Sequence, residues 1–225
     1  MKDSYTRIAI ILDRSGSMES CKESTVSGFN EFIRTQKELP GEAMVKLVQF
    51  DDRYETVWDM NLMSCPELNQ NTFVPRGSTA LLDAQGRTIV ELGQELAALP
   101  EKDRPSRVIV VTLTDGLENA SRQYGLDQIS AMIREQRDKY SWDFVFLGAN
   151  QDAIKTGAAM GVPRGSAMSY STSRAGMAAT MAAVSNYVGS YRAGAAPAFS
   201  AEQRAAAMAD DDEDAKAGKG GTKRA

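Results

Sequence analysis

Apolar and polar positions follow two periods along this chain, and they alternate. Arg7-Ile-Ala-Ile-Ile-Leu-Asp13 is a nearly continuous apolar run ending in a polar loop, the pattern of a strand buried on both faces of a parallel sheet. Between Ser24 and Leu39 the residues Val26, Phe29, Phe32 and Ile33 recur at helical spacing, and Pro40-Gly41 stops the helix. Val45–Phe50 alternates as a strand, and after Asp51-Asp52-Arg53 a run from Tyr54 to Met60 completes an antiparallel hairpin placed towards one sheet edge. The stretch from Asn61 to Gly77, with Pro66, Pro75 and several Asn, is irregular and delivers Thr79 to the start of a helix that runs to about Leu99. Arg107–Leu113 is the strongest strand, ended by Thr114-Asp115-Gly116. A helix over 126–139, a strand over 142–147, a helix over 153–160, a short strand near 168–171 and an Ala- and Met-rich helix to Tyr191 follow.

Strands alternating with helices at this spacing predict an α/β fold, doubly wound, with a mostly parallel central sheet, helices on both faces and one antiparallel edge strand. The first strand is expected at the centre. One domain is expected over residues 1–192. From 193 to 225 the composition turns to Ala and Gly, then to Asp210–Asp214, then to Lys216, Lys219, Lys223 and Arg224, which reads as a flexible tail with one helix around Ala201–Met208. The acidic run lacks the glycine and final glutamate of a calcium loop, so it reads as a solvated segment and not as a metal site.

Composition narrows the chemistry. The 225 residues include no histidine, which removes Ser-His-Asp and Cys-His catalysis, histidine general bases and zinc sites that need an imidazole. Cys21 and Cys65 form no CxxC pair and read as reduced, packed thiols. A net charge of -4 argues against a general nucleic-acid surface. No apolar run approaches the length needed to span a bilayer, and no signal-peptide pattern is visible, so a cytoplasmic location is expected, with a virion also compatible.

Three polar clusters remain, at strand ends or helix starts: Asp13-Arg-Ser15-Gly-Ser17, Thr79 and Asp115. In an open α/β sheet those ends line the crevice that binds ligands, so segments far apart in sequence can converge there. Two carboxylates and three hydroxyls, without sulfur or imidazole, suit a hard cation, and Mg2+ is the natural candidate. Read as turn formers and helix caps alone, the five residues would have no reason all to fall at ligand-facing ends.

Asp13-x-Ser15-x-Ser17 after a buried strand, the later single Thr79, and Thr114-Asp115-Gly116 after another strand resemble the von Willebrand factor A domain and its metal-ion-dependent adhesion site, over most of residues 5–191. The resemblance implies the Rossmann-like fold of that family. It also implies that Ser15, Ser17 and Thr79 contact a metal through their hydroxyls, while Asp13 and Asp115 bind it directly or through water. Mg2+ is then expected, with Mn2+ or Ca2+ as substitutes, and a protein partner's Asp or Glu fills the vacant coordination position. That is binding, not turnover. Intracellular relatives of this kind, including stand-alone bacterial and phage domains, work with ring-shaped ATPases or in multi-subunit assemblies. Two alternatives stay open. One is a structural subunit of a larger complex anchored through the tail. The other is a haloacid-dehalogenase-type phosphatase using Asp13, although such enzymes carry a second aspartate where this chain has Ser15. Arg14 and Met18 are expected on the rim, with Glu118 and Asn119 as solvated loop residues close enough to serve the metal's outer shell. Tyr54, Trp58 and Phe73 stay unassigned between partner contacts and core.

Overall fold

Strand β1 (Lys2–Asp13) sends alternate side chains to two faces, and both faces are covered: Ile8, Ile10 and Leu12 enter one apolar cluster, Ala9 and Ile11 another. The computed structural model describes residues 2–149 and 152–210. Within them β1 lies inside a six-stranded sheet of order β3-β2-β1-β4-β5-β6, with β2 (Glu42–Phe50), β3 (Tyr54–Asn61), β4 (Pro105–Thr114), β5 (Asp143–Ala149) and β6 (Ala167–Tyr170). Only the β2–β3 pair is antiparallel, and β3 is the edge strand, as the hairpin pattern indicated.

Six α-helices complete the layers: α1 (Lys22–Glu38), α2 (Leu81–Ala98), α3 (Leu126–Tyr140), α4 (Ala153–Ala159), α5 (Arg174–Arg192) and α6 (Ala201–Ala207). Phe29, Phe32 and Ile33 of α1 and Met177, Val184 and Val188 of α5 cover the Ile8–Ile10–Leu12 face. Leu81, Ile89 and Leu92 of α2, Ile129 and Ile133 of α3 and Ala153 of α4 cover the other. The fold is therefore doubly wound. The chain leaves β1 through α1 to reach β2 on one side, and comes through α2 on the opposite face to β4 on the other side. That reversal opens a crevice at the C-terminal ends of β1 and β4.

β1 begins five residues before its apolar run, and Arg7, where that run starts, is neutralised inside the fold. Arg7 is 5% exposed and its guanidinium grips Asp59 through two bonds of 2.6 Å and Glu95 at 2.9 Å. At the other end, packing continues past residue 192. Phe199 is buried against Tyr187 with ring centroids 5.0 Å apart, Ala207 is fully buried, and Ser200 and Gln203 form a capping box that starts α6. Arg204 donates to the Ala167 carbonyl at 2.6 Å, so α6 lies along the edge strand β6 and shields it. Asn150, just past β5, and the acidic-to-basic stretch from Asp211 to Ala225 lie outside the described residues. No helix among the described residues is long and apolar enough to cross a membrane.

Candidate metal centre

Asp13 is the last residue of β1 and is fully buried. Its Oδ1 accepts the Ser15 N–H at 2.6 Å, and its Oδ2 accepts the Thr114 hydroxyl from the tip of β4, joining the two strand ends through one carboxylate. The chain then turns through a 3-10 segment, Gly16–Cys21, which sets the Ser15 and Ser17 hydroxyl oxygens 3.2 Å apart. Ser17 is exposed and donates to Asp115 Oδ1 at 2.6 Å. Thr79 arrives from the irregular segment before α2. A Cβ placed on Gly116 would sit 2.9 Å from Thr79 Oγ1 and 3.6 Å from Ser17 Oγ, so the third hydroxyl closes on the same spot. The structure thus brings together all five side chains singled out in the sequence, in a site open to solvent at Ser17.

Two buried networks hold the loops that carry them. Arg14 is 6% exposed: its Nε pairs with Asp51 Oδ2 at 3.1 Å and its Nη1 with Glu55 at 2.7 Å. Asp51 Oδ2 also accepts from Arg76 at 2.8 Å, and the Asp51 carbonyl accepts the Ala80 N–H at 2.9 Å. One aspartate at the end of β2 therefore ties the serine-bearing loop to the threonine-bearing one. Gly77 lies between them at a φ of +68°, where a Cβ would strike Asp52 Oδ1. On the other side Glu118 and Asn119 lash the loop after β4 to the start of α2. Asn119 Oδ1 accepts the Thr79 N–H at 2.9 Å, and Glu118 Oε2 accepts the Leu82 N–H at 2.9 Å.

These contacts revise two expectations and sharpen others. Arg14 and Met18 are not rim residues: the first is a buried ion-pair hub and the second is fully buried against the α1 side of the sheet. Glu118 is half-buried and Asn119 exposed, as loop residues, and both in addition accept backbone N–H groups at the start of α2. The signals for this were faint, since a carboxylate after a strand and an Asn in a loop are ordinary turn residues. Trp58 and Phe73 are core residues, and the half-buried Tyr54 turns its hydroxyl to Glu91 at 3.1 Å, away from the centre. Leu117 remains as an exposed apolar side chain directly beside the site.

The electrostatics favour a cation. Burial pushes the Asp13 carboxyl up to about 6, against the hydrogen bonds from Thr114 and Ser15, and the nearby Asp115 charge pushes the same way. Burial also raises Asp115, against the hydrogen bond from Ser17. Among the described residues no Lys or Arg forms an ion pair with Asp13. Two desolvated carboxylates and three hydroxyls meeting at one point are a donor set for a hard divalent ion, whose charge would offset what now disfavours ionisation. No three His, Cys, Asp or Glu side chains cluster among the described residues.

No protein-family model and no curated protein matches the sequence. Solved structures do resemble the fold. The ArnB paralog VWA2 from Sulfolobus acidocaldarius superposes with a TM-score of 0.50 at 18% identity, over 78% of this chain and 44% of that one. Proximal thread matrix protein 1 from the mussel byssus, solved with a zinc-occupied MIDAS motif, gives 0.56 at 15% identity over 84% of this chain and 47% of that one. A von Willebrand factor type A structure from Catenulispora acidiphila gives 0.54 at 13% identity over 82% and 42%. The chain spans less than half the length of each of these three proteins.

Proposed function

We propose that this chain, which has the von Willebrand factor A fold, is a divalent-cation-dependent protein-interaction module. Asp13, Asp115, Ser15, Ser17 and Thr79 would hold the ion. The observation that carries this reading is the meeting of their oxygens, drawn from three segments up to 102 positions apart, at the tips of two adjacent parallel strands. When bound, the cation supplies a positive, incompletely coordinated centre that attracts an acidic side chain of a protein partner. The chain's own residues would hold it: the Asp13 and Asp115 carboxylates would neutralise charge, and the Ser15, Ser17 and Thr79 hydroxyls would supply neutral oxygens. The loop network keeps Thr79 in place, and Leu117 offers the partner an apolar contact beside the carboxylate. Mg2+ is the proposed ion. Mn2+, Ca2+ or the zinc found in the mussel protein's site would suit the same oxygens less selectively. The role is recognition without catalysis, in a cytoplasmic setting supported by two buried free thiols, Cys21 and Cys65.

The test is an affinity capture from native lysate with Mg2+, with EDTA, and with the Thr79→Ala protein, read by mass spectrometry. A partner retained only by the wild-type protein with Mg2+ is expected. The same partners in all three lanes would move the interaction to another surface.

A further inference from the structure

At the end of the sheet opposite the metal centre, the C-terminal turns of α2 and α3 meet the start of β4 around a cavity of about 560 Å³. That volume is in the range of small-molecule sites. Val108, 5% exposed, Trp142, 7% exposed, and Leu96 give it an apolar lining. Tyr140, the last residue of α3, also lines it and is 62% exposed. The turn that holds this ring is fixed: Ser141 closes the helix at a φ of +56°, and its carbonyl accepts the Tyr191 hydroxyl at 3.2 Å. From α2 comes Gly93, where a Cβ would meet no atom within 4 Å. A glycine inside a helix weakens it, and no neighbour in the fold requires one here; what the missing side chain leaves open is the cavity.

The charged side chains lining the cavity have one sign. Arg104 and Lys139 are among them, and no Asp or Glu is. Arg104 is oriented by neutral groups: its Nε donates to the Leu99 carbonyl at 3.0 Å and its Nη2 to the Ala97 carbonyl at 3.1 Å. Among the described residues it has no carboxylate partner, and its Nη1 makes no hydrogen bond. Lys139 pairs with Glu135 at 2.6 Å, but the two side chains are 65% and 48% exposed, so the pair is weak and the ammonium can turn to a ligand. The ends of α2 and α3 carry negative potential, yet carbonyls of their last turns are already taken by Arg104 and by the Ser141 and Trp142 N–H groups.

We propose that this cavity binds a small aromatic carboxylate, its ring against Trp142 and Tyr140 and its carboxylate on Arg104, with Lys139 closing over it. One guanidinium and one partly neutralised ammonium match a monoanion better than a phosphate monoester, which carries about −1.5 to −2. The site stands apart from the metal-centre reading. Thr79 lies just before α2 and the cavity at its far end, so a bound carboxylate and a partner on the cation do not compete.

The probe is 8-anilinonaphthalene-1-sulfonate, a fluorescent aromatic monoanion, titrated into the full chain in EDTA beside its neutral counterpart, N-phenyl-1-naphthylamine. Wild type is expected to bind the anion saturably and to release it to 1-naphthoate. Gly93→Leu puts a side chain into the open space and should weaken the anion about tenfold or more, with a melting temperature equal to wild type or higher. Arg104→Gln should weaken the anion about tenfold, the worth of a hydrogen bond to a charged group, and leave the neutral probe unchanged. No saturable binding by wild type overturns the proposal, as does unaltered binding in Gly93→Leu or an Arg104→Gln effect equal on both probes. Stronger displacement by 1-naphthyl phosphate than by 1-naphthoate overturns the carboxylate assignment. A wild-type dimer in sedimentation that Gly93→Leu dissociates would give the cavity to a second copy and overturn it as well.

Discussion

Thr79 and Asn119 hold each other through reciprocal hydrogen bonds: the Thr79 N–H donates to Asn119 Oδ1 at 2.9 Å, and the Asn119 N–H donates to the Thr79 carbonyl at 3.1 Å. The hydroxyl from the loop before α2 is thereby fixed against the loop after β4, which carries Asp115. Asn119→Ala should cost about 1 kcal/mol of stability, the usual net worth of one hydrogen bond, and weaken Mn2+ binding severalfold. Chemical denaturation and Mn2+ titration check the two effects separately. A full-strength metal site in this variant would mean that Thr79 is positioned by other contacts.

Gly116→Ala is a sharper steric test. The added methyl would lie 2.9 Å from the Thr79 hydroxyl, closer than such contacts allow, so the hydroxyl must give way. Metal affinity should drop about tenfold or more while the melting temperature without metal moves little, because the residue stands at the mouth of the site and not in the core. Unchanged affinity would show that Thr79 is not a ligand.

Asp51 governs the acid limit of the fold. Burial would raise its carboxyl, but hydrogen bonds from Arg76 and the Arg53 N–H, together with the charges of Arg14 and Arg76, outweigh burial and hold it below its ordinary value. A depressed carboxylate stabilises the fold above the unfolded pKa, and that contribution is lost as pH falls through the folded value. The loss is therefore expected below about pH 4. Asp51→Asn should cost about 3 kcal/mol at pH 7, since it removes the buried partner of Arg14 and leaves that guanidinium only the half-exposed Glu55, and should flatten the acid limb of the stability curve. Melting curves from pH 3 to 7 measure both. Parallel wild-type and variant curves would assign acid unfolding to other carboxylates.

The parallel strands, the covering helices and the five oxygen-bearing side chains were legible because each has a local signature. Buried strands read as Val and Ile runs, helices as 3.6-residue stripes, and Asp13, Ser15 and Ser17 share one short motif. What stayed hidden depends on pairing across the fold. Arg14 looks like a solvated loop cation until Asp51, 37 positions away, is placed beside it. Glu118 and Asn119 look like turn residues until α2 brings its free N–H groups to them. The first strand read as starting at Arg7, because nothing local announces that Asp59 and Glu95 will neutralise that side chain. The segment after residue 192 read as a flexible tail carrying one helix, and its docking stayed hidden for the same reason: Phe199 and Ala207 gain their meaning only from the surface they cover.

That last packing is open to a direct check. Phe199→Ala removes a buried ring from its contact with Tyr187 and should destabilise the protein by about 3 kcal/mol. Thermal melting followed by circular dichroism measures it. A change within about 0.5 kcal/mol, the range of ordinary surface substitutions, would mean that the segment beyond Arg192 contributes nothing to the folded unit.

The central claim is that five oxygens form one cation site, and calorimetric titration of the full chain with Mg2+ tests it most directly, beside Asp13→Ala and Thr79→Ala. The expected result is one Mg2+ per wild-type chain and none in either variant. A rise in melting temperature of about 5–10 °C should accompany it at one hundred times the dissociation constant, equivalent to roughly 2.7 kcal/mol. Binding of equal strength and stoichiometry in all three proteins would contradict the claim, and so would a wild-type chain that takes up no ion.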